Sequence, residues 1–218
     1  MAVGLAKLVL RITGLILFFC FSQNLGATVH YVSSDNEIEA LNNSLLPGDS
    51  IVMLDGVWNN ADFEFKGNGT FSKPITLTVE TPGGVTLEQN SKIEFSGSYL
   101  VVDGLIFQNG DSDDDSVISF RTNSSTFCHN CRLTNVSIDS YNSSNSTNNK
   151  WVSIYGTNNR VDHCSFENKT NLGTTLVVWM DNIPDHHRID HNYFGPRPEL
   201  GQNGGAVSYT HLTLPTKA

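Results

Sequence analysis

The chain has 218 residues, of which only 16% are charged, and its formal net charge is −9. An acidic chain lacks the basic footprint that general nucleic-acid binding needs, so we expect no nucleic-acid partner. The sequence also contains 23 Asn and 18 Gly residues. Both are weak helix formers, which argues against a helical bundle.

Residues 1–27 have the features of a secretory signal peptide. Lys7 and Arg11 are their only charges, and an apolar run from Ile12 to Phe21 precedes a polar segment that ends at Ala27. An uncleaved membrane anchor is the alternative, but the run is well short of the ~20 residues that a span needs. We therefore expect cleavage after Ala27, no stable membrane span afterwards, and a secreted or periplasmic protein.

The first element predicted after the leader is a short helix. Asn36–Leu46 carries Ile38, Leu41 and Leu45 at helical spacing and is closed by a Pro-Gly pair. Solenoid proteins need capping structures at their ends. The helix is therefore interpreted as the N-terminal cap of the repeats that follow.

A repeat of about 28 residues follows the helix. Four segments each open with an aliphatic residue and close with a large apolar one: Val102–Phe107, Leu133–Ile138, Val161–Phe166 and Ile189–Phe194. Their starts are 31, 28 and 28 residues apart, and Ile75 starts a similar run 27 residues before Val102. Short β-prone runs fill each unit. The pattern predicts an all-β, right-handed parallel β-helix, a single-stranded solenoid, with a β-sandwich of chance similarity as the alternative.

Asparagine suits the corners of such a solenoid. It tolerates left-handed backbone, and its amide can hydrogen-bond to equivalent residues in neighbouring turns. The candidates for these positions are Asn109, Asn158, Asn159, Asn168 and Asn192.

Two His and two Arg residues recur at equivalent repeat positions. His163 and His191 each follow an Asp, so we expect them to stack on one face. Such a pair can bind sugar or shuttle protons, and a structural polar ladder is the simpler alternative. Arg160 and Arg188 each stand one residue before the aliphatic start. Stacked guanidiniums can bind carboxylates or sulfates of a substrate, or they can form salt bridges with Asp162, Asp190 or Glu167.

Three cysteines follow the leader, and they do not predict a metal site. Cys128 and Cys131 lack the second pair that a zinc site would need. Cys131 and Cys164 are not at equivalent repeat positions. A local disulfide or buried thiols in an oxidising compartment are expected instead.

Residues 207–218 do not continue the repeat. The run from Val207 to Thr216 resembles a translated sequencing-library adapter. We therefore expect a non-native tail, with a genuine short tail as the alternative. On this interpretation residues 28–206 are the native mature part of a gene product truncated on its C-terminal side.

Three ordered motifs near the C-terminus carry a family resemblance. They are Asn159-Arg-Val-Asp-His-Cys-Ser-Phe-Glu-Asn-Lys169, His187-Arg-Ile-Asp-His-Asn-Tyr-Phe-Gly-Pro-Arg-Pro198 and Gly201-Gln-Asn-Gly-Gly205. Together they resemble polysaccharide lyase family six, which contains alginate lyases and enzymes of the chondroitinase B type. The resemblance extends over roughly residues 28–205 and is most specific after Asn159.

The resemblance implies a parallel β-helix and a calcium-dependent β-elimination on an anionic uronate polymer. Alginate is the first choice of substrate, and chondroitin or dermatan sulfate is the second. Asn203 matches the family's Asn ligand to Ca²⁺, a hard cation that oxygen ligands suit. The carboxylate ligands, the Lys base and the Arg acid of the family have no match here, so the chain alone is expected to be inactive. A non-catalytic β-helix that binds glycans or serves as an adhesin is the alternative.

Overall fold

The chain winds into a parallel β-solenoid in the computed structural model, which describes residues 26–112, 116–144, 146–180, 185–198 and 205–210. Successive turns add strands to three long sheets, and nearly all neighbouring strands run parallel. The predicted parallel β-helix is therefore confirmed, and the β-sandwich alternative is wrong.

Three sheets contain the strands of the described residues. The first sheet has seven strands in this part of the chain: Val29–Val32, Ser50–Met53, Ile75–Val79, Leu100–Asp103, Arg132–Thr134, Arg160–Asp162 and Arg188–Asp190. The second has eight described strands: Asp62–Asn68, Lys92–Ser98, Ser116–Ser119, Arg121–Asn123, Thr126–His129, Lys150–Ile154, Leu176–Trp179 and Val207–Thr210. The third has six described strands: Gly56–Asn59, Val85–Gln89, Ile106–Gly110, Ser137–Asp139, Ser165–Glu167 and Tyr193–Phe194.

Inward-facing aliphatic side chains stack from turn to turn along the first sheet. The parallel register aligns a fully buried series: Ile51, Leu77, Val102, Leu133 and Val161. Burying one such side chain favours folding by roughly 1.5–3 kcal/mol. The stack explains why the repeat is visible in the sequence, since each turn must supply an apolar residue at this position.

The pairing corrects one predicted register. Leu77 lies opposite Val102, whereas Ile75 lies opposite Leu100. The prediction placed Ile75 opposite Val102 and was two residues out. Faces of a strand alternate with a period of two, so this error left every side chain on the correct face.

Residues with left-handed backbone turn the chain at the corners between sheets. Between the first and third sheets, equivalent corner positions are occupied by Gly104, Asn135, His163 and His191, with φ of 85°, 54°, 55° and 57°. Glycine adopts this region freely, whereas other L residues do so at a cost. Two consecutive histidines at this corner are therefore unusual.

The predicted corner asparagines divide into two groups. Asn109, Asn158 and Asn168 have positive φ, as predicted. Asn159 and Asn192 instead bridge turns through their side chains, because Oδ1 of Asn159 accepts from the Cys131 N–H at 2.8 Å and Oδ1 of Asn192 from the Cys164 N–H at 2.9 Å.

A short helix packs near the start of the solenoid. It spans Asp35–Leu41, within one residue of the predicted start but shorter at its C-terminal end, and it buries Ile38 completely. The helix lies against the strand Asp62–Asn68, and Asn42, just after it, donates to the Glu64 carbonyl at 2.8 Å. The predicted capping helix is confirmed.

Two predicted segment boundaries fall at the edges of the described residues. Most of the leader 1–27 lies outside them. Val207–Thr210, the first four residues of the predicted tail, pair in parallel with Leu176–Trp179. Within the described part of the chain, no helix is long and apolar enough to cross a bilayer.

Candidate functional site

The predicted Arg and His residues lie together on the outside of the first sheet and at the corner beyond it. We call this cluster the charged ladder, and it consists of Arg132, Arg160, Arg188, Asp162, Asp190, His163 and His191. Arg132 lies opposite Arg160, and Arg160 opposite Arg188. Asp162 lies opposite Asp190. The ladder therefore places three guanidiniums beside two carboxylates in adjacent turns.

Each of the first two arginines reaches forward to the aspartate of the next turn. Nε and Nη2 of Arg132 donate to the two oxygens of Asp162 at 2.7 and 2.6 Å. Nε and Nη2 of Arg160 donate to Asp190 at 2.9 and 2.8 Å. Such bidentate pairs are the strongest form of ionic hydrogen bond. Salt bridging, one of the two predicted alternatives for Arg160, is therefore present.

Arg188 is the most exposed arginine of the charged ladder. Its Nε lies 2.9 Å from Oδ1 of Asp190 in its own turn, and its side chain is 63% exposed. The side chain of Arg160 is only 31% exposed. Arg188 therefore has the most accessible guanidinium for an anionic ligand among these three arginines.

The arginines hold both aspartates in the charged form. Burial raises the pKa of Asp162, but the hydrogen bonds from Arg132 and His163 and the charges of Arg132 and Arg160 outweigh it, so the net pKa is lowered. The hydrogen bonds from Arg160 hold the pKa of Asp190 well below its usual range. The carboxyl of Asp162 is completely buried, so it stabilises the fold without being accessible to a ligand.

The two histidines stack as predicted. Their ring centroids are 5.2 Å apart and the rings are within 9° of parallel. Nδ1 of His163 lies 2.9 Å from Asp162, and Nδ1 of His191 lies 2.6 Å from Asp190. Both side chains are more than half exposed. This arrangement agrees with the polar ladder that was the simpler alternative, and a role of either residue in substrate binding stays a prediction.

Arg132 belongs to this site although the repeat analysis did not select it. Its turn reads Arg132-Leu-Thr-Asn135, without the Asp-His pair that marks the next two turns. The signal was its position one residue before an aliphatic repeat start, which it shares with Arg160 and Arg188.

A second group of cations is buried at the corner that leads into the second sheet. Lys169 is 1% exposed, and its amine donates to Asn171 and lies 5.4 Å from the ring centre of Trp151. Arg197 donates to the carbonyls of Asn171 and Gly173, both at 3.0 Å. Neither cation has a carboxylate partner among the described residues. Burial, with the charges of Arg197 and Lys150, lowers the pKa of Lys169 to about 7.

The predicted Ca²⁺ ligand Asn203 lies outside the described residues. Within the described ranges, no group of three or more His, Cys, Asp or Glu side chains is arranged to hold a metal ion. Arg197 also donates to the carbonyl of Gly205 at 3.2 Å, and therefore ties the end of the Asn203 segment to the preceding turn.

The three cysteines are buried free thiols. Burial raises the pKa of Cys164 to about 12, and it also raises that of Cys128. A reactive cysteine needs a lowered pKa and access to solvent. These thiols are therefore packing residues, as one of the two predicted alternatives stated.

Comparisons with known proteins agree with this fold. A family model described as Chondroitinase B matches residues 32–212. The PL6 family alginate lyase AlyGC is 36% identical with a TM-score of 0.80, and the match covers 84% of this chain and 26% of that one. No protein with a curated description matches the chain.

Two further solved structures are similar. A mannuronic acid specific polysaccharide family 6 lyase from human gut microbiota is 29% identical with a TM-score of 0.76, covering 84% of this chain and 44% of that one. The PL6 family polysaccharide lyase Pedsa3628 from Pseudopedobacter saltans is 30% identical with a TM-score of 0.59, covering 75% and 42%. The chain thus spans about a quarter of AlyGC and less than half of the other two.

Proposed function

Because the chain belongs to polysaccharide lyase family six, the family of chondroitinase B, we propose that it is the N-terminal part of an exported, Ca²⁺-dependent lyase of an anionic uronate polymer. The observation that carries this proposal is the family match over residues 32–212, on a chain whose fold is similar to that of AlyGC over 84% of its length. Alginate is the favoured substrate because AlyGC is named an alginate lyase and the gut enzyme mannuronic acid specific. Chondroitin or dermatan sulfate is the second choice.

The proposed reaction is a β-elimination within a uronate residue. A base removes the proton at C5, the C4–O bond breaks, the leaving oxygen takes a proton, and a C4–C5 double bond forms. Bound Ca²⁺ would counter the charge of the uronate carboxylate, which makes the neighbouring proton more acidic. The described residues assemble no such ion site, so Ca²⁺ dependence rests on the family alone.

We further propose that the 218-residue chain is inactive by itself. Lys150, Lys169, Arg188 and Arg197 do not match the family's catalytic positions. Lys169 is also buried beneath Asn171 and Trp151, out of reach of a polymer. Within the charged ladder, Arg188 is the best candidate for contact with substrate because its guanidinium is the most exposed. Arg160, His163 and His191 are less available, since each donates to an aspartate.

The decisive experiment compares the 218-residue chain with the product of the extended reading frame. Each is incubated with polymannuronate, polyguluronate and dermatan sulfate, and unsaturated uronate is followed by its ultraviolet absorbance. We expect product only from the longer protein, its loss with a chelator, and its return with added Ca²⁺.

Each alternative outcome has a separate meaning. Product from the 218-residue chain would overturn the proposed inactivity. Polymer binding by the longer protein without product on any substrate would overturn the lyase and favour the non-catalytic glycan-binding alternative. Product that survives chelation would overturn Ca²⁺ dependence alone.

Export is tested independently of activity. N-terminal sequencing of the protein recovered from the periplasm or medium of an expressing bacterium should begin at Thr28. Retention of residues 1–27 in a membrane fraction would favour the uncleaved anchor.

A further inference from the structure

A row of aromatic side chains crosses the outside of the second sheet, away from the charged ladder. It consists of Phe127, Tyr155 and Trp179, and we call it the aromatic ladder. The ring centroids of Phe127 and Tyr155 are 6.1 Å apart with planes 15° apart, and those of Tyr155 and Trp179 are 5.9 Å and 6° apart. The three rings therefore form a nearly parallel series along the solenoid axis.

The strand register explains this row. Ile154 pairs with Val178, so Tyr155 and Trp179 are the next residues of neighbouring strands. A bridge between His129 and Thr157 brings Phe127 beside Tyr155. The indole N–H of Trp179 donates to Ser153 at 3.4 Å, which fixes the orientation of the ring.

The aromatic ladder is not part of the hydrophobic core. Its neighbours along the chain, Cys128, Ile154 and Val178, point inward and are almost completely buried. The three rings themselves are only partly buried and are not members of the core cluster. Adjacent apolar surface left accessible on a soluble protein often marks a binding site.

Two cations accompany the rings. The guanidinium carbon of Arg121 lies 3.9 Å from the centre of the Tyr155 ring, and Nζ of Lys150 lies 5.8 Å from that of Trp179. Both distances are within the range of cation–π contacts. Arg121 forms no ion pair with the described part of the chain. It is therefore a positive charge without a carboxylate in an acidic protein.

We propose that the aromatic ladder and Arg121 form a binding surface for a uronate segment of an acidic polysaccharide, lying along the solenoid axis. A pyranose presents C–H groups that pack on aromatic rings, and each uronate adds a carboxylate that an unpaired guanidinium can bind. Charge complementarity selects a uronate polymer over a neutral glycan or a second copy of this acidic chain. The proposal rests on the proposed function only for the class of polymer, and it assigns no catalytic role to these residues.

Tryptophan fluorescence can test this surface directly. The chain has three Trp residues, and Trp58 and Trp151 are 9% and 0% exposed. The 218-residue chain is titrated with saturated mannuronate and guluronate oligomers, and with neutral mannose oligomers as the ligand control. We expect a saturable change in emission with the uronates only, and its disappearance in Trp179→Phe, which keeps an aromatic ring.

Affinity is measured in parallel by calorimetry on Arg121→Gln. We expect binding of the uronate oligomer to weaken about tenfold, as for loss of one charged hydrogen-bonding group. Phe71→Ala is the matched control because Phe71 is an aromatic residue 89% exposed in a different loop, and binding should be unchanged. Circular dichroism of each variant establishes that it is folded.

Several results would overturn the proposal. These are unaltered uronate affinity in Arg121→Gln, equal affinity for neutral mannose oligomers, and dimerisation in sedimentation that Arg121→Gln abolishes without any uronate response. The outcome is separable from that of the lyase assay. Active longer protein with an unchanged KM in both ladder variants would refute the ladder alone, whereas binding without product would refute the lyase alone.

Discussion

The cations on the first sheet and those beside the second sheet have opposite environments. Arg132 and Arg160 each form a bidentate pair with an aspartate one turn ahead. Arg121 instead lies over a tyrosine ring, and Lys169 is buried against an amide and a tryptophan. Both groups are built from residues at recurring positions of the same solenoid, yet only the first is neutralised from within.

This difference separates a structural role from a ligand-binding one. Charges that are already paired stabilise the stacking of turns, and a ligand would have to compete with an internal carboxylate for them. An unpaired cation contributes little to the fold, and it responds to pH if buried or to an anion if exposed. The chemical type of a residue is thus a poorer guide to its function than the partners it already has.

Removal of the buried carboxylate should have the largest effect. Asp162 binds Arg132, Arg160 and His163, and its side chain is 0% exposed. We expect Asp162→Ala to lower the free energy of unfolding by about 3 kcal/mol, because it leaves partly buried charges without a partner. Urea denaturation followed by circular dichroism measures this change.

Asp190→Ala is the matched control for that prediction. Asp190 occupies the equivalent position one turn later, but its side chain is 19% exposed. The loss of stability should therefore be clearly smaller than for Asp162. Equal losses would contradict the view that burial of the carboxylate decides the strength of the ladder.

The buried amine should make stability depend on pH. The pKa of Lys169 is lowered from 10.5 to about 7 in the folded chain. Between these values the unfolded chain binds a proton that the folded chain does not, so stability rises with pH. Relative to Lys169→Met, the parent should gain about 2 kcal/mol in free energy of unfolding between pH 7 and pH 9.

Comparison with a variant removes the contribution of other titrating groups from that measurement. Lys73→Met, which changes an exposed lysine, should leave the pH profile of the parent unchanged. If Lys169→Met shows the same pH dependence as the parent, the amine is not held neutral by its surroundings.

The sequence was sufficient to predict the fold because the core repeats with the turns. Val102, Leu133 and Val161 lie in register as predicted, since each turn needs one apolar residue there. The capping helix was also predicted, from helical spacing and the Pro-Gly stop. The register of Ile75 was wrong because alternation fixes the face of a residue but not its place along the strand.

The candidate site was harder to predict because contacts between turns decide it. Equivalence of His163 and His191 predicted their stacking, but whether Arg160 is paired depends on side-chain reach that no spacing reveals. The aromatic ladder was missed because Phe127, Tyr155 and Trp179 are 28 and 24 residues apart. Phe127 also lies in a hairpin with Arg121–Asn123 that interrupts the repeat.

The stacked histidines should matter less for stability than the aspartate beneath them. His163 has a φ of 55°, and the equivalent corner one turn earlier holds Asn135. We expect His163→Asn to change the free energy of unfolding by less than about 0.5 kcal/mol. His163→Val should cost about 1–2 kcal/mol because a β-branched residue resists left-handed backbone. Thermal denaturation of both variants gives the comparison, and equal losses would show that the imidazole itself is required.

Truncation of Arg188 should have the smallest effect on the fold and is the sharpest test of the comparison. Its guanidinium has a single partner, Asp190, and its side chain is 63% exposed. An exposed pair of this kind contributes less than about 0.5 kcal/mol, so the urea midpoint of Arg188→Ala should match the parent. If the same variant of the longer protein loses affinity for a uronate polymer, Arg188 binds substrate at the edge of an otherwise neutralised ladder. Unchanged affinity would leave the first sheet with a structural role alone, because Arg160 is already bound to Asp190.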